Sequence, residues 1–93
     1  MLFYLIAYDI PDDKRRKNIS DILEGYGSRV QYSVFECVLS TKKYQELKNR
    51  LKKVFNPLQD NLRFYPISQH TLNQVETWGV GSPPTQPSQS III

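Results

Sequence analysis

The chain opens on an uninterrupted apolar run. Residues 2–9 (LFYLIAYD) are short, rich in β-formers and apolar at every position until Asp9. That pattern predicts a strand covered on both faces. Side-chain alternation puts Leu2, Tyr4, Ile6 and Tyr8 on one face, and Phe3, Leu5, Ala7 and Asp9 on the other. Ile10-Pro11-Asp12-Asp13 follows as a turn into a helix, with an acid suited to capping it. The helix runs to about Glu24, because Ile19, Ile22, Leu23 and Tyr26 keep the spacing of one buried face. Arg15 and Arg16 extend that stripe towards its start, and Gly25 and Gly27 close it. Since helix follows strand directly, its first turn stands near the strand end that carries Asp9.

Residues 29–39 (RVQYSVFECVL) are β-branched and aromatic. A break around Tyr32-Ser33-Val34 predicts two strands, at about 29–32 and 34–39. Ser40 or Thr41 caps a second helix whose buried stripe is Tyr44, Leu47, Leu51 and Val54. Phe55-Asn56-Pro57 ends it. Leu62 to Ile67 reads as a fourth strand, at an edge because Pro66 cannot donate to a ladder. A short fifth strand is predicted over Val75 to Val80. The order β-α-β-β-α-β plus a short extra strand is a ferredoxin-like α+β arrangement, an antiparallel sheet with two helices on one face. With Tyr4 and Tyr8 assigned to the open face, that face is apolar, and a homodimer packed through it is expected.

Composition adds bounds. With 93 residues, 40% hydrophobic and 23% charged, the chain fits one small soluble domain over 1–80. Such a domain buries a limited core, which a second copy would supplement. Residues 81–93 are Pro/Ser-rich and read as a tail, although Ile91-Ile92-Ile93 is unusually apolar for one. No apolar run is long enough to span a bilayer. The apolar start lacks a basic flank and a small-residue cleavage site, so it reads as a strand and the protein is expected in the cytoplasm. One cysteine (Cys37) and one histidine (His70) argue against an internal disulfide and against a zinc site within one chain. Cys37 reads as a small buried residue and His70 as surface.

Twelve Lys+Arg against nine Asp+Glu give a net charge of +3. The distribution says more than the sum. Lys14-Arg15-Arg16-Lys17 is one basic run. Lys42, Lys43, Lys48, Arg50, Lys52 and Lys53 make a second. Two such runs on a small domain suit phosphate contacts; solvated helix faces would look the same.

The start LFYLIAYDI, the following PDDKRRKNISDIL and above all RVQYSVFEC resemble the CRISPR-associated protein 2 family, over about residues 1–80. The resemblance implies a small dimeric subunit of the spacer-acquisition machinery. It implies that Asp9 is a metal ligand, with two such aspartates, one per protomer, sharing one Mg²⁺ (or Mn²⁺). It implies catalytic roles for Tyr8, the aromatic before Asp9, for Arg16 in the first helix and Arg29 before the second strand, and for Ser33 and Phe35 beside the active cleft. One carboxylate is a poor Mg²⁺ site, because Mg²⁺ takes about six oxygens in near-octahedral geometry. Two Asp9 carboxylates, waters and a substrate phosphate would complete that shell.

The function implied is a metal-dependent endonuclease that hydrolyses single-stranded RNA or DNA and takes part in integrating new spacers. Lys14, Arg15, Arg16, Arg29, Lys42 and Lys43 are the expected nucleic-acid contacts. An alternative is a non-catalytic dimeric adaptor that lies on DNA and bridges two dimers of the CRISPR integrase subunit. A related toxin-type ribonuclease on the same fold is a further alternative.

Overall fold

The computed structural model describes residues 1–84. The elements run β1 (Leu2–Asp9), α1 (Asp13–Glu24), β2 (Ser28–Gln31), β3 (Val34–Leu39), α2 (Thr41–Lys52), β4 (Asn61–Ile67) and a short α3 (Gln69–Leu72). All strand pairs are antiparallel, and the sheet order is β2-β3-β1-β4. This is the expected βαββαβ order, and Pro66 does sit on an edge strand.

Each helix starts where its side chains satisfy the first free amides. Asp12 accepts from the Arg15 amide at 2.8 Å, and Ser40 accepts from the Lys43 amide at 3.2 Å. The two stripes face the sheet. Ile19, Leu23, Leu47 and Leu51 are buried, with Ile22, Tyr26, Tyr44 and Val54 packed against them. A fully buried side chain of this size contributes about 1.5–3 kcal/mol relative to leaving it in water.

The face assignment of β1 is the reverse of the expected one. Tyr4, Ile6 and Tyr8 lie beneath the helices in the main core. Tyr4 stacks on Tyr44 of α2, with ring centroids 3.9 Å apart and planes at 12°. The open face instead carries Phe3, Leu5, Ala7 and Asp9. Phe3 is buried there apart from the main core, as is Leu72 of α3, which lies against β1. The predicted fifth strand over Val75 to Val80 does not form within the chain. The short helix α3 precedes it, and residues 75–84 run without regular structure along Val30, Gln31 and Glu36. β2 and β4 are the edge strands of the sheet, and the segment forms no ladder with either. Ile91–Ile93 lie outside the described residues.

Cys37 is wholly buried. Burial pushes its thiol up to about 11, so it stays protonated at neutral pH, as expected of a packing residue.

Candidate nucleic-acid and metal site

The end of β1 sends two neighbouring side chains to opposite sides of the sheet. Asp9 goes to the open face. It is exposed, and no hydrogen bond or ion pair occupies its carboxylate among the described residues. Its cross-strand neighbour is Asn61.

Tyr8 goes to the helix face and is buried. Its hydroxyl lies 3.4 Å from the Tyr32 carbonyl oxygen, to which it donates. Its ring stands against Phe35, with centroids 6.3 Å apart.

Arg29 organises this corner. Its Nη1 donates to the Tyr32 carbonyl at 2.5 Å and to the Tyr8 hydroxyl at 3.3 Å. Its Nη2 donates to Ser20 Oγ at 2.8 Å and to Glu24 at 3.3 Å. The guanidinium also sits 4.9 Å over the Phe35 ring. One side chain thus joins α1, β1 and the β2–β3 turn. The hydrogen bond to Tyr8, helped by Glu24, holds the Arg29 proton more tightly than usual. On the neighbouring turn of α1, Arg16 donates through Nη1 to the Ile10 carbonyl at 2.9 Å and pairs through Nη2 with Asp13.

Between α1 and the β2–β3 turn these residues enclose an open cleft of about 430 Å³. Tyr8, Arg16, Arg29 and Ser33 line it together with Asp13, Lys17, Ser20 and Tyr32. The structure therefore gathers four of the expected site residues, while Asp9 sits across the sheet from them. Phe35 lies in the core beneath Arg29. Lys14 is exposed on α1. Arg15 turns away from the cleft and is held by Asp60 through two hydrogen bonds, 2.6 Å from Nε and 2.8 Å from Nη2.

Lys42 and Lys43 start α2 at the opposite end of the sheet, beyond the Leu2–Leu39 pair. Seven strand steps separate that end from Asp9, about 23 Å at the usual rise. They belong to a second basic region and not to the cleft.

Two cleft residues, Ser20 and Tyr32, are absent from the expected set, and Lys17 enters it only as part of the first basic run. Ser20 is legible in principle, since Asp13, Arg16, Lys17 and Ser20 keep the spacing of one helix face. Tyr32 carried no periodic signal because it sits in a turn. Of the two acids expected at the helix start, Asp12 is the cap and Asp13 stands in the first turn, where it pairs with Arg16.

A profile of the CRISPR associated protein Cas2 family matches residues 1–75, the whole of the sheet and all the residues just described. The chain belongs to that family. A CRISPR-associated endoribonuclease Cas2 of Synechocystis sp. is 60% identical over 94 residues, covering 100% of both chains. A CRISPR-associated endonuclease Cas2 of Thermus thermophilus is 46% identical over 81 residues, 87% of this chain and 86% of its own. Among solved structures, a chain of a partial Cas6-RT-Cas1–Cas2 complex superposes with a TM-score of 0.79 at 34% identity, covering 92% of this chain and 99% of its own.

Within this Cas2 fold the donor set for a hard cation can be tested on chemistry. Among the described residues no group of three or more His, Cys, Asp or Glu side chains is placed to hold a metal ion. Asp9 offers an exposed carboxylate with no competing partner, the oxygen donor that Mg²⁺ and Mn²⁺ favour. Asp9 fits as one ligand, and the described residues do not gather the three or more such donors of a complete protein shell around it. No helix of the described residues is long and apolar enough to cross a membrane.

Proposed function

We propose that this chain is a divalent-cation-dependent endonuclease that cuts phosphodiester bonds in single-stranded nucleic acid and serves, as a homodimer in the cytoplasm, in the integration of new CRISPR spacers. The observation that carries this reading is the free carboxylate of Asp9 on the open face, at the same end of β1 as the Arg-lined cleft on the helix face. The names of the relatives support the activity, and the Cas1–Cas2 complex among the solved structures supports an integrase partner.

The open face supports the dimer. Leu5, Ala7, Val34 and Val38 are only partly covered, and Tyr65 beside Leu5 is 43% exposed. A second copy would bury this apolar face and bring a second Asp9. Asp9 from each protomer would then hold the cation. When bound, Mg²⁺ or Mn²⁺ supplies an activated water and offsets charge on the phosphate. Arg16 and Arg29 neutralise phosphate oxygens, for which a guanidinium's paired donors are suited. Tyr8 holds Arg29 and the turn in position; its buried place argues for packing and support over proton transfer.

The test compares wild type with Asp9→Asn on labelled RNA and single-stranded DNA, with Mg²⁺, Mn²⁺ or EDTA, alongside sedimentation. The expected result is cleavage reduced by about a hundredfold or more with the dimer unchanged. Equal cleavage by the two proteins would overturn the catalytic reading.

A second reading, the non-catalytic adaptor, is favoured by the start of the second basic region, where Lys42 and Lys43 lie at the far end of the sheet from Asp9. Normal spacer acquisition by an Asp9→Asn strain would select it.

A further inference from the structure

Tyr32 is 94% exposed, in a tight turn between β2 and β3 where small or polar residues are usual. Packing does not explain it, because the ring is almost wholly in solvent. Turn geometry does not explain it either, since no residue there has positive φ. Yet its backbone is fixed: its carbonyl accepts from both Arg29 and Tyr8. The result is an aromatic ring on a braced turn, at the mouth of a cleft lined by Arg16, Lys17, Ser20 and Arg29.

The cations in that cleft are available. Arg16 pairs with Asp13 three residues away and Lys17 with Asp21 four residues away, both on the exposed surface of α1. Pairs of this kind are weak and yield to a better anion. A phosphate brings more charge and several acceptor oxygens. Ser20 adds a hydroxyl.

We propose that Tyr32 is a base-stacking platform that selects single-stranded over duplex nucleic acid, one unpaired base lying on its ring while the adjoining phosphate enters the cleft between Arg16 and Lys17. An exposed ring beside a cationic groove is the arrangement that binds an unpaired strand, since every base offers a π-face. In a duplex those faces are buried in the stack, so the ring has nothing to meet. The cleft lies on the helix side of the sheet, so it stays open when a second copy covers the other face. This proposal rests on the nucleic-acid reading above and assigns Tyr32 the choice of strand state.

The experiment measures fluorescence anisotropy of oligonucleotides of about 12 nucleotides, within the usual site size. Oligo-U, oligo-dT and a duplex of equal length are compared in EDTA, which prevents cleavage. Wild type, Tyr32→Ala and Tyr32→Phe are the proteins, with circular dichroism melts as the folding control. Tyr32→Ala is expected to bind single strands about tenfold more weakly and the duplex within about twofold of wild type, while Tyr32→Phe stays near wild type on both. An unchanged affinity of Tyr32→Ala for single strands, or an equal loss on the duplex, overturns the proposal. If wild type binds none of the three, the nucleic-acid reading itself falls and takes this proposal with it.

Discussion

Arg15 and Asp60 form a two-pronged ion pair across 45 positions of sequence, Nε to Oδ2 at 2.6 Å and Nη2 to Oδ1 at 2.8 Å. The Asp60 side chain is fully covered, and Oδ2 also accepts the Asn56 amide at 3.0 Å. The pair pins the start of α1 to the loop between α2 and β4. An arginine from the first basic run is thereby committed to the fold.

This pair makes stability pH-dependent. The Arg15 hydrogen bond, with a smaller part from the Asn56 amide, holds the Asp60 carboxyl below its ordinary 3.8. A carboxyl depressed on folding adds stability that is present above its unfolded value and lost as pH falls through its folded value. The melting temperature of wild type should therefore exceed that of Asp60→Asn by a constant amount above about pH 5, and the gap should close in stronger acid. Removing one partner altogether, as in Arg15→Ala, should lower the melting temperature by about 10 °C, because it leaves a covered charge unpaired. A gap that does not depend on pH would show that the pair contributes through packing alone.

Arg29 holds the β2–β3 turn through separate nitrogens, one to the Tyr32 carbonyl and Tyr8, the other to Ser20 and Glu24. A lysine has a single ammonium and cannot divide its donors in this way. Arg29→Lys and Arg29→Ala should both speed amide hydrogen exchange in residues 28–34 by about tenfold, while exchange in α2 stays unchanged. Equal protection in wild type and Arg29→Ala would show that the turn stands without this brace.

Gly27 is required by its close approach to the next strand. A Cβ there would sit 2.5 Å from Cys37 Sγ and against the Glu36 carbonyl oxygen, both in β3. Gly27→Ala should cost about 2–3 kcal/mol in urea unfolding, the scale of an overpacked core. Gly25→Ala, where the nearest atom is the Ile22 carbonyl oxygen at 3.3 Å, should cost much less. If Gly25→Ala proves the more damaging of the two, the close approach of Gly27 to β3 is not what limits that position.

The second basic region makes its own prediction. Lys42 and Lys43 start α2, Lys48 lies 4.3 Å over the Tyr44 ring, and Lys52 and Lys53 close the helix. Replacing Lys42, Lys43, Lys52 and Lys53 by serine should weaken duplex DNA binding and flatten its dependence on log salt by about 0.9 for each phosphate that is no longer neutralised. An unchanged slope would remove this surface from the DNA path. Lys42 and Lys43 lie at the opposite end of the sheet from the cleft, whereas Lys52 and Lys53 return to the end that carries Asp9 and Asn61.

Local pattern determined much of this molecule. Period-two and helical spacing place the four strands and the first long helix within a residue or so, while the second helix closes at Lys52, short of the expected Phe55; Asp12 and Ser40 mark the helix starts because a capping oxygen is a local requirement. The family, too, is legible in LFYLIAYDI and RVQYSVFEC. Alternation also shows that Tyr8 and Asp9 must part company at the end of β1. What alternation cannot say is which side the helices take. Tyr4 and Tyr8 were expected on the open face, and packing against Tyr44 and Phe35 put them in the core. The segment from Val75 to Val80 has strand-like composition yet stays irregular within its own chain, because composition does not say which edge, its own or a partner's, a strand joins. Arg15 and Arg16 are neighbours in one basic run. Only the tertiary structure, by bringing Asp60 across 45 residues, decided that the first serves the fold and the second faces the cleft.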